Sequence, residues 1–201
     1  MTRPESSDSG ERLDAAAELR RLAEGIASDR TVALVGLMGA GKTTVGRRLA
    51  AALRLPFADA DAEIVAAAGR SIEEIFAQHG ECEFRRGERQ VIARMLDGPP
   101  YVLATGGGAF IDPRTRALMK EKAISVWLKA PLEVLMKRVA RRDDRPLLKE
   151  DDPRAVMQKL IDERYPIYAE ADLTVESGAG PHNTAAAAVI TALRAYLAAR
   201  P

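Results

Sequence analysis

Cysteine is almost absent from this chain, and so are long apolar runs. Cys82 is the single cysteine among 201 residues, so the chain can form neither an internal disulfide nor a metal site made of several cysteines. No apolar run reaches the ~18 residues that span a membrane, and the first thirty residues lack the apolar core of a secretory signal. We therefore expect a cytoplasmic protein that does not bind membranes.

A surplus of charge of one sign is also missing. The chain has 30 Lys and Arg residues against 29 Asp and Glu, a formal net charge of +1. Proteins held to nucleic acid by bulk electrostatics carry a positive excess, so this class is disfavoured. Length and a hydrophobic content of 47% predict one compact domain. We assign it to residues 31–201, after an N-terminal extension over residues 1–30 with a disordered start, to about residue 11, and a short helix to about Ser28 that packs outside the core fold.

From residue 31 onward, short apolar segments alternate with helical patterns. This alternation predicts an α/β fold with a mainly parallel sheet, although the strand order does not follow from it. The predicted strands cover residues 31–35, 57–58, 101–105, 123–128 and 172–176. Helix starts are indicated by a capping box at Ser71 and by Asp-Pro pairs at Asp112 and Asp152.

A glycine-rich phosphate-binding motif follows the first predicted strand. Residues 36–43 read G-L-M-G-A-G-K-T and match G-x-x-x-x-G-K-[ST] at every fixed position. Backbone N–H groups of such a loop point at phosphate oxygens, the lysine reaches the β- and γ-phosphates, and the hydroxyl ligates Mg²⁺. We predict that the chain binds a nucleoside triphosphate. The predicted contacts are Gly39, Ala40, Gly41, Lys42, Thr43 and Thr44.

Two carboxylates, Asp59 and Asp61, stand at the end of the second predicted strand. If the strand continues, their spacing aims both side chains to one side of the sheet, at the edge where ligands bind. One acid could then hold a Mg²⁺-bound water, while the other accepts a proton from an acceptor hydroxyl. Taken alone, the pair also fits a solvated turn or a helix N-cap.

Three further segments are informative only in combination. The charged helix over residues 81–96 carries Arg85 but also fits a solvated face. The glycines Gly106–Gly108 allow close approach of backbone to a ligand or form a plain turn. The basic segment 137–149 fits a lid that closes on phosphates. A nucleic-acid patch is disfavoured there, since no aromatic residues are interleaved.

The phosphate loop leaves the reaction class open. The chain has no Asn-Lys-x-Asp guanine signature, which disfavours a GTPase, and it is short for a motor ATPase. A small-molecule kinase is the leading hypothesis. A kinase for another acceptor, such as gluconate or a nucleoside monophosphate, and a non-catalytic nucleotide-sensing module remain as alternatives.

Taken in order, the motifs of residues 31–200 resemble those of shikimate kinases. They are the loop 36–44, F-A-D-A-D at 57–61, G-R-S-I-x-x-I-F at 69–76, E-F-R-R-x-E at 83–88, G-G-G-A at 106–109, R-P-L-L at 145–148 and R-x-x-x-Y at 164–168. The resemblance implies a P-loop kinase fold with a lid and a five-stranded parallel sheet of order 2-3-1-4-5. It further implies ATP-dependent phosphorylation of the shikimate 3-hydroxyl on the route to chorismate and the aromatic amino acids, with Mg²⁺ as cofactor.

The resemblance also implies roles for individual residues. Asp61 corresponds to the catalytic base, and Asp59, together with Thr43, to the Mg²⁺ site. Arg85 and Arg164 correspond to the pair that binds the shikimate carboxylate, which suits the planar fork of a guanidinium group. The acceptor contacts further include Gly106, Gly107 and Gly108, and the catalytic groups include Lys42 and the lid residue Arg145.

Two expectations complete the comparison with this family. Arg138 is expected to stack on adenine, because the segment 177–182 has no arginine for that purpose. The enzyme is expected to act as a monomer on small molecules, since no long heptad or apolar stripe indicates assembly.

Overall fold

Five parallel strands form the central sheet of this protein. The computed structural model describes residues 7–141 and 152–199, except for the side chains of residues 7–13. The strands are β1 (Thr31–Val35), β2 (Phe57–Asp59), β3 (Val102–Ala104), β4 (Ala123–Lys129) and β5 (Leu173–Glu176). Their order in the sheet is β2-β3-β1-β4-β5, and every pairing is parallel. The predicted fold class and strand order are confirmed.

Helices cover both faces of the sheet. They are α1 (Ser7–Ala23), α2 (Lys42–Leu53), α3 (Ala60–Ala68), α4 (Ile72–Leu96), α5 (Pro113–Lys122), α6 (Leu132–Val139), α7 (Pro153–Tyr168) and α8 (His182–Ala198), with a short 3-10 turn at Ala109–Ile111. All five residues of β1 are buried, as expected for the central strand of a parallel sheet covered on both faces. No helix in the described ranges is long and apolar enough to cross a membrane.

The predicted helix starts are confirmed by their capping contacts. The Ser71 hydroxyl accepts from the Glu74 N–H, and the Glu74 carboxylate accepts from the Ser71 N–H. The Asp112 and Asp152 carboxylates likewise accept backbone N–H groups at the starts of α5 and α7. Helix α4 kinks at Gly80, where φ is 75°. Its first two turns therefore have a different axis from the part of the helix that carries Arg85.

The N-terminal extension differs from expectation. Helix α1 begins at Ser7, so the prediction of disorder is wrong for residues 7–11. The helix ends at Ala23, about five residues earlier than predicted, and Gly25 then takes a φ of 77°. Leu19 and Ala23 belong to the main core, and Arg194 of α8 donates to two carbonyl oxygens at the C-terminal end of α1. The prediction of a helix outside the core is therefore wrong.

Candidate active site

The phosphate loop connects the buried end of β1 with the start of α2. Gly36 has a φ of 137°, and a Cβ atom there would lie 2.8 Å from the carbonyl oxygen of Leu128. Gly41 has a φ of 94° and precedes the first residue of α2. Both positions therefore require glycine. The loop backbone and the N-terminus of α2 together form a site suited to an anion.

Lys42 and Thr43, the first two residues of α2, point their polar atoms into the loop region. The Lys42 ammonium donates to the carbonyl oxygens of Gly36 and Leu37 at 2.7 and 3.0 Å. The Thr43 hydroxyl donates to Asp59 Oδ2 at 2.8 Å. A hydroxyl and a carboxylate oxygen side by side fit Mg²⁺, which needs few protein ligands when phosphates and waters complete its octahedron.

Asp59 and Asp61 are close together, but not in the way the strand pattern predicted. Strand β2 ends at Asp59, and Asp61 lies in the first turn of α3. The Asp59 side chain is the N-cap of that helix, and its Oδ1 accepts from the Asp61 N–H at 3.1 Å. The strand does not continue past Asp59, and the helix N-cap, one of the alternatives for this pair, is what the structure shows.

The glycines after β3 form a turn against which three side chains pack. A Cβ atom on Gly106 would lie 2.7 Å from Asp61 Oδ1 and 2.8 Å from Glu88 Oε1. A Cβ atom on Gly108 would lie 2.4 Å from the Arg85 guanidinium. The two glycines are therefore needed for side-chain approach, and they bring Asp61 and Arg85 to one turn.

Helix α7 contributes two more side chains to the same turn. Arg164 donates to the Gly107 carbonyl oxygen at 3.4 Å, and the buried Tyr168 hydroxyl donates to the same oxygen. Burial raises the pKa of Tyr168 to about 12, so the phenol remains a donor at neutral pH. Four elements that are distant in sequence thus meet at Gly106–Gly108.

Glu88 is the buried partner of Arg85. Its side chain is 2% exposed, and its Oε2 accepts from Arg85 Nη1 at 2.7 Å. Burial raises the pKa of Glu88 against the opposing effect of Arg85, and the nearby Asp61 carboxylate adds to the rise. Burial would lower the pKa of Arg85, but the hydrogen bonds that Arg85 donates to the Glu88 and Glu81 carboxylates outweigh burial and raise that pKa. The pair fixes the position of the guanidinium group.

One cleft of about 290 Å³ extends from the phosphate loop to the glycine turn after β3. Lys42, Thr43 and Asp59 line it together with Asp61 and Gly107. Arg85 and Arg164 do not line the cleft. They flank the glycine turn, at the edge of the cleft. The predicted phosphate-binding and acceptor-binding residues are therefore adjacent.

The predicted lid and adenine residues are less completely described. Arg145 lies outside the described residues, as does most of the segment 137–149. Arg138 lines the cleft, but its guanidinium donates to the carbonyl oxygens of Gly39, Ala40 and Gly178. It therefore contacts the phosphate loop directly.

Sequence reasoning left several residues of this site without a role. Glu88 and Tyr168 belong to the E-F-R-R-x-E and R-x-x-x-Y motifs, and this membership was the available signal. His182 lines the cleft, and its Nδ1 is buried without a hydrogen-bond partner among the described residues. Burial and the nearby Arg138 and Arg48 lower the pKa of His182, which favours the neutral imidazole.

Comparison with known proteins identifies a family that covers most of the chain. A family model described as shikimate kinase matches residues 38–194. A shikimate kinase of Caulobacter vibrioides is 62% identical over 165 residues, 82% of either chain. One of Paramagnetospirillum magneticum is 61% identical over 162 residues, 80% of this chain and 83% of the relative. The structure of an Acinetobacter baumannii shikimate kinase in complex with shikimate is 36% identical, with a TM-score of 0.81 over 86% of this chain and 97% of the other.

Proposed function

Because this chain belongs to the shikimate kinase family, it is an ATP-dependent phosphotransferase. We propose that the residues that line and flank its cleft bind ATP and shikimate and promote transfer of the γ-phosphate to the 3-hydroxyl of shikimate. The products are shikimate 3-phosphate and ADP, on the route to the aromatic amino acids. The observation that carries the proposal is the convergence of Asp61, Arg85 and Arg164 on the Gly106–Gly108 turn, beside the cleft that Lys42 lines.

The nucleotide half of the reaction uses residues 39–44. Their backbone N–H groups and the α2 N-terminus bind the phosphates, and Lys42 offsets the charge that develops on the transferred group. Thr43 and Asp59 would hold Mg²⁺, which neutralises charge on the β- and γ-phosphates when bound. Their contact of 2.8 Å supports this assignment.

The acceptor half uses two guanidinium groups and one carboxylate. Arg85 and Arg164 bind the shikimate carboxylate, and the backbone of Gly106–Gly108 approaches the ring. Asp61 accepts the proton of the 3-hydroxyl as that oxygen bonds to the γ-phosphorus, and the bond to the β–γ bridging oxygen breaks to release ADP. This orientation places the carboxylate of shikimate away from the phosphates, which limits repulsion between anions.

The remaining assignments belong to the same proposal. Arg145 reaches the phosphates from the lid, and Arg138 contacts the adenine side. The enzyme acts as a cytoplasmic monomer on ATP and shikimate, without nucleic-acid or membrane partners. Sedimentation of the purified chain with and without both substrates tests the monomer.

A coupled assay of ADP formation tests the reaction. With ATP and Mg²⁺, we expect turnover on shikimate and little on gluconate, on nucleoside monophosphates or on hydroxylated acids of other shape. Omission of Mg²⁺ should abolish turnover. Turnover on gluconate in preference to shikimate would contradict the proposal, and ATP binding without turnover on any acceptor would favour a nucleotide-sensing module.

A further inference from the structure

Ser177, the first residue after β5, is a fully buried serine whose hydroxyl contacts the phosphate loop. The hydroxyl donates to the carbonyl oxygen of Ala40 at 2.8 Å and accepts from Arg138 Nη1 at 3.1 Å. Its own backbone N–H donates to Lys129 at the end of β4, at 2.6 Å. Ser177 is therefore attached to the sheet through its backbone and to the phosphate loop through its side chain.

Arg138 completes a small hydrogen-bond network around Ser177. The same Nη1 lies 3.3 Å from the carbonyl oxygens of Gly39 and Ala40, and Nη2 lies 2.6 Å from that of Gly178. The closest and best-buried contact to the loop is nevertheless that of the serine hydroxyl. A buried carbonyl that lost this partner would carry a desolvation cost.

The direction of one carbonyl group determines the direction of the next N–H group. In a trans peptide the C=O of Ala40 and the N–H of Gly41 point in opposite directions. With the Ala40 oxygen held by Ser177, the Gly41 N–H is directed away from Ser177. Gly39 and Gly41 both have positive φ, and glycine on each side leaves this stretch of backbone free to rotate. A rotated Ala40 peptide would present a carbonyl oxygen to the phosphates.

We propose that Ser177 is a positioning residue for polyphosphate binding, which acts by holding the Ala40 carbonyl so that the loop presents N–H groups to the anion. The inference rests on the proposed function for the identity of the nucleotide. Its effect falls on the phosphate chain of any polyphosphate ligand, whereas the adenine base and the acceptor are not involved.

Ser125 provides a matched control. It is the other fully buried serine among the described residues, and its hydroxyl donates to Asp172 at 2.6 Å, which ties the beginning of β4 to the segment before β5. Ser125→Ala therefore also removes a buried, hydrogen-bonded serine hydroxyl, but one whose partner precedes β5 and does not belong to the phosphate loop.

The test measures binding of ATP and of inorganic tripolyphosphate, both as Mg²⁺ complexes, by isothermal titration to the full chain. In Ser177→Ala we expect both affinities to fall by a similar factor, about tenfold for the loss of a buried hydrogen bond, with the KM for shikimate at saturating ATP unchanged. Ser177→Cys should be intermediate, because a thiol is a weaker donor. Ser125→Ala should lower the melting temperature and leave both affinities at wild-type values.

Unchanged tripolyphosphate affinity in folded Ser177→Ala would overturn the inference, as would an equal loss in Ser125→Ala. If Ser177→Ala does not fold, wild-type affinity in Ser177→Cys overturns it equally. Loss of ATP affinity alone would assign Ser177 to the adenine side, which also contradicts the proposal. Tripolyphosphate binding is independent of the acceptor, so this result stands even if wild-type protein fails to phosphorylate shikimate.

Discussion

The two halves of the cleft are built in different ways. The phosphate half is one continuous stretch, residues 36–44, and it connects a fully buried strand to a helix of the main core. The acceptor half comes from α3, α4, the turn after β3 and α7. Two buried apolar residues of α3 and α4, Ile64 and Phe84, lie outside the main core, whereas Ile92 of α4 and Met157 of α7 belong to it. Val65 and Phe76, the exposed large apolar residues of the described ranges, belong to the same two helices.

This difference indicates which substitutions should impair binding in each half. The phosphate half is positioned by its own backbone, by the buried sheet and by the Ser177 hydroxyl, so single side chains matter mainly where they touch phosphate or hold the loop backbone. The acceptor half is positioned by polar contacts: the ion pair of Arg85 with Glu88 within α4, and the contacts of α7 side chains to Gly107. We expect single substitutions there to change acceptor binding without changing nucleotide binding.

Asp61→Asn is expected to show the largest difference between the effect on turnover and the effect on nucleotide binding. The amide cannot accept the hydroxyl proton, so turnover should fall by roughly 10²–10⁴, the usual range for a general base. ATP affinity should be retained, because the phosphate loop is unaltered. Steady-state kinetics together with ATP titration measure both quantities. Near-normal turnover would show that Asp61 is not the base.

Gly108→Ala is expected to impair the acceptor half alone. Gly108 has a φ of −99°, so alanine causes no backbone strain, but its Cβ would displace the Arg85 guanidinium, 2.4 Å away. We expect the KM for shikimate to rise by about 10- to 100-fold, in line with loss of a charge-assisted bidentate contact. Gly87→Ala on α4 is the control, since its Cβ meets nothing within 4 Å. An equal rise in that variant would refute a specific effect on Arg85.

Glu88→Gln tests the ion pair that fixes Arg85. The amide keeps an acceptor oxygen but loses the buried charge, so Arg85 retains only the exposed carboxylate of Glu81. We expect the KM for shikimate to rise by about tenfold, with the KM for ATP unchanged. Glu81→Gln should have little effect, because its side chain is 66% exposed. Comparable losses in the two variants would contradict the assignment.

The smallest kinetic effect is expected at α1, far from the cleft. Leu19→Ala removes a side chain that is 5% exposed in the main core, and it should lower the free energy of unfolding by about 2–4 kcal/mol. Both KM values should stay at wild-type levels. Chemical denaturation and steady-state kinetics measure these quantities, with Glu18→Ala on the exposed face as the control. A change in the KM for ATP would show that α1 affects the phosphate half.

The same difference between the phosphate half and the acceptor half explains which features of the fold and the site could be predicted from the sequence. The phosphate loop was predicted because its chemistry is contained in eight consecutive residues between a strand and a helix. The strand order came from the family resemblance, since alternating patterns carry no information about which strands are neighbours. The sequence left open whether the second strand continues or a helix begins at Asp59, and in the structure the strand ends there because the Asp59 carboxylate caps α3.

Contacts between distant elements could not be predicted from local patterns. Nothing in the neighbourhood of Tyr168 indicates that its hydroxyl reaches Gly107, and nothing around Ser177 indicates that it contacts Ala40. Helix α1 was expected outside the core, yet its apolar residues Leu19 and Ala23 belong to it. Whether such residues are buried depends on α2 and α8, which lie elsewhere in the sequence.

The central claim is that Arg85 and Arg164 recognise a carboxylate opposite the phosphate loop. Its most direct test is the ratio of kcat/KM for shikimate to that for shikimate methyl ester, in the wild-type enzyme and in Arg85→Lys. We predict a strong preference for the free acid in the wild type. This ratio should fall about tenfold or more in the variant, because an ammonium group cannot form the bidentate contact. Equal ratios in the two enzymes would contradict it.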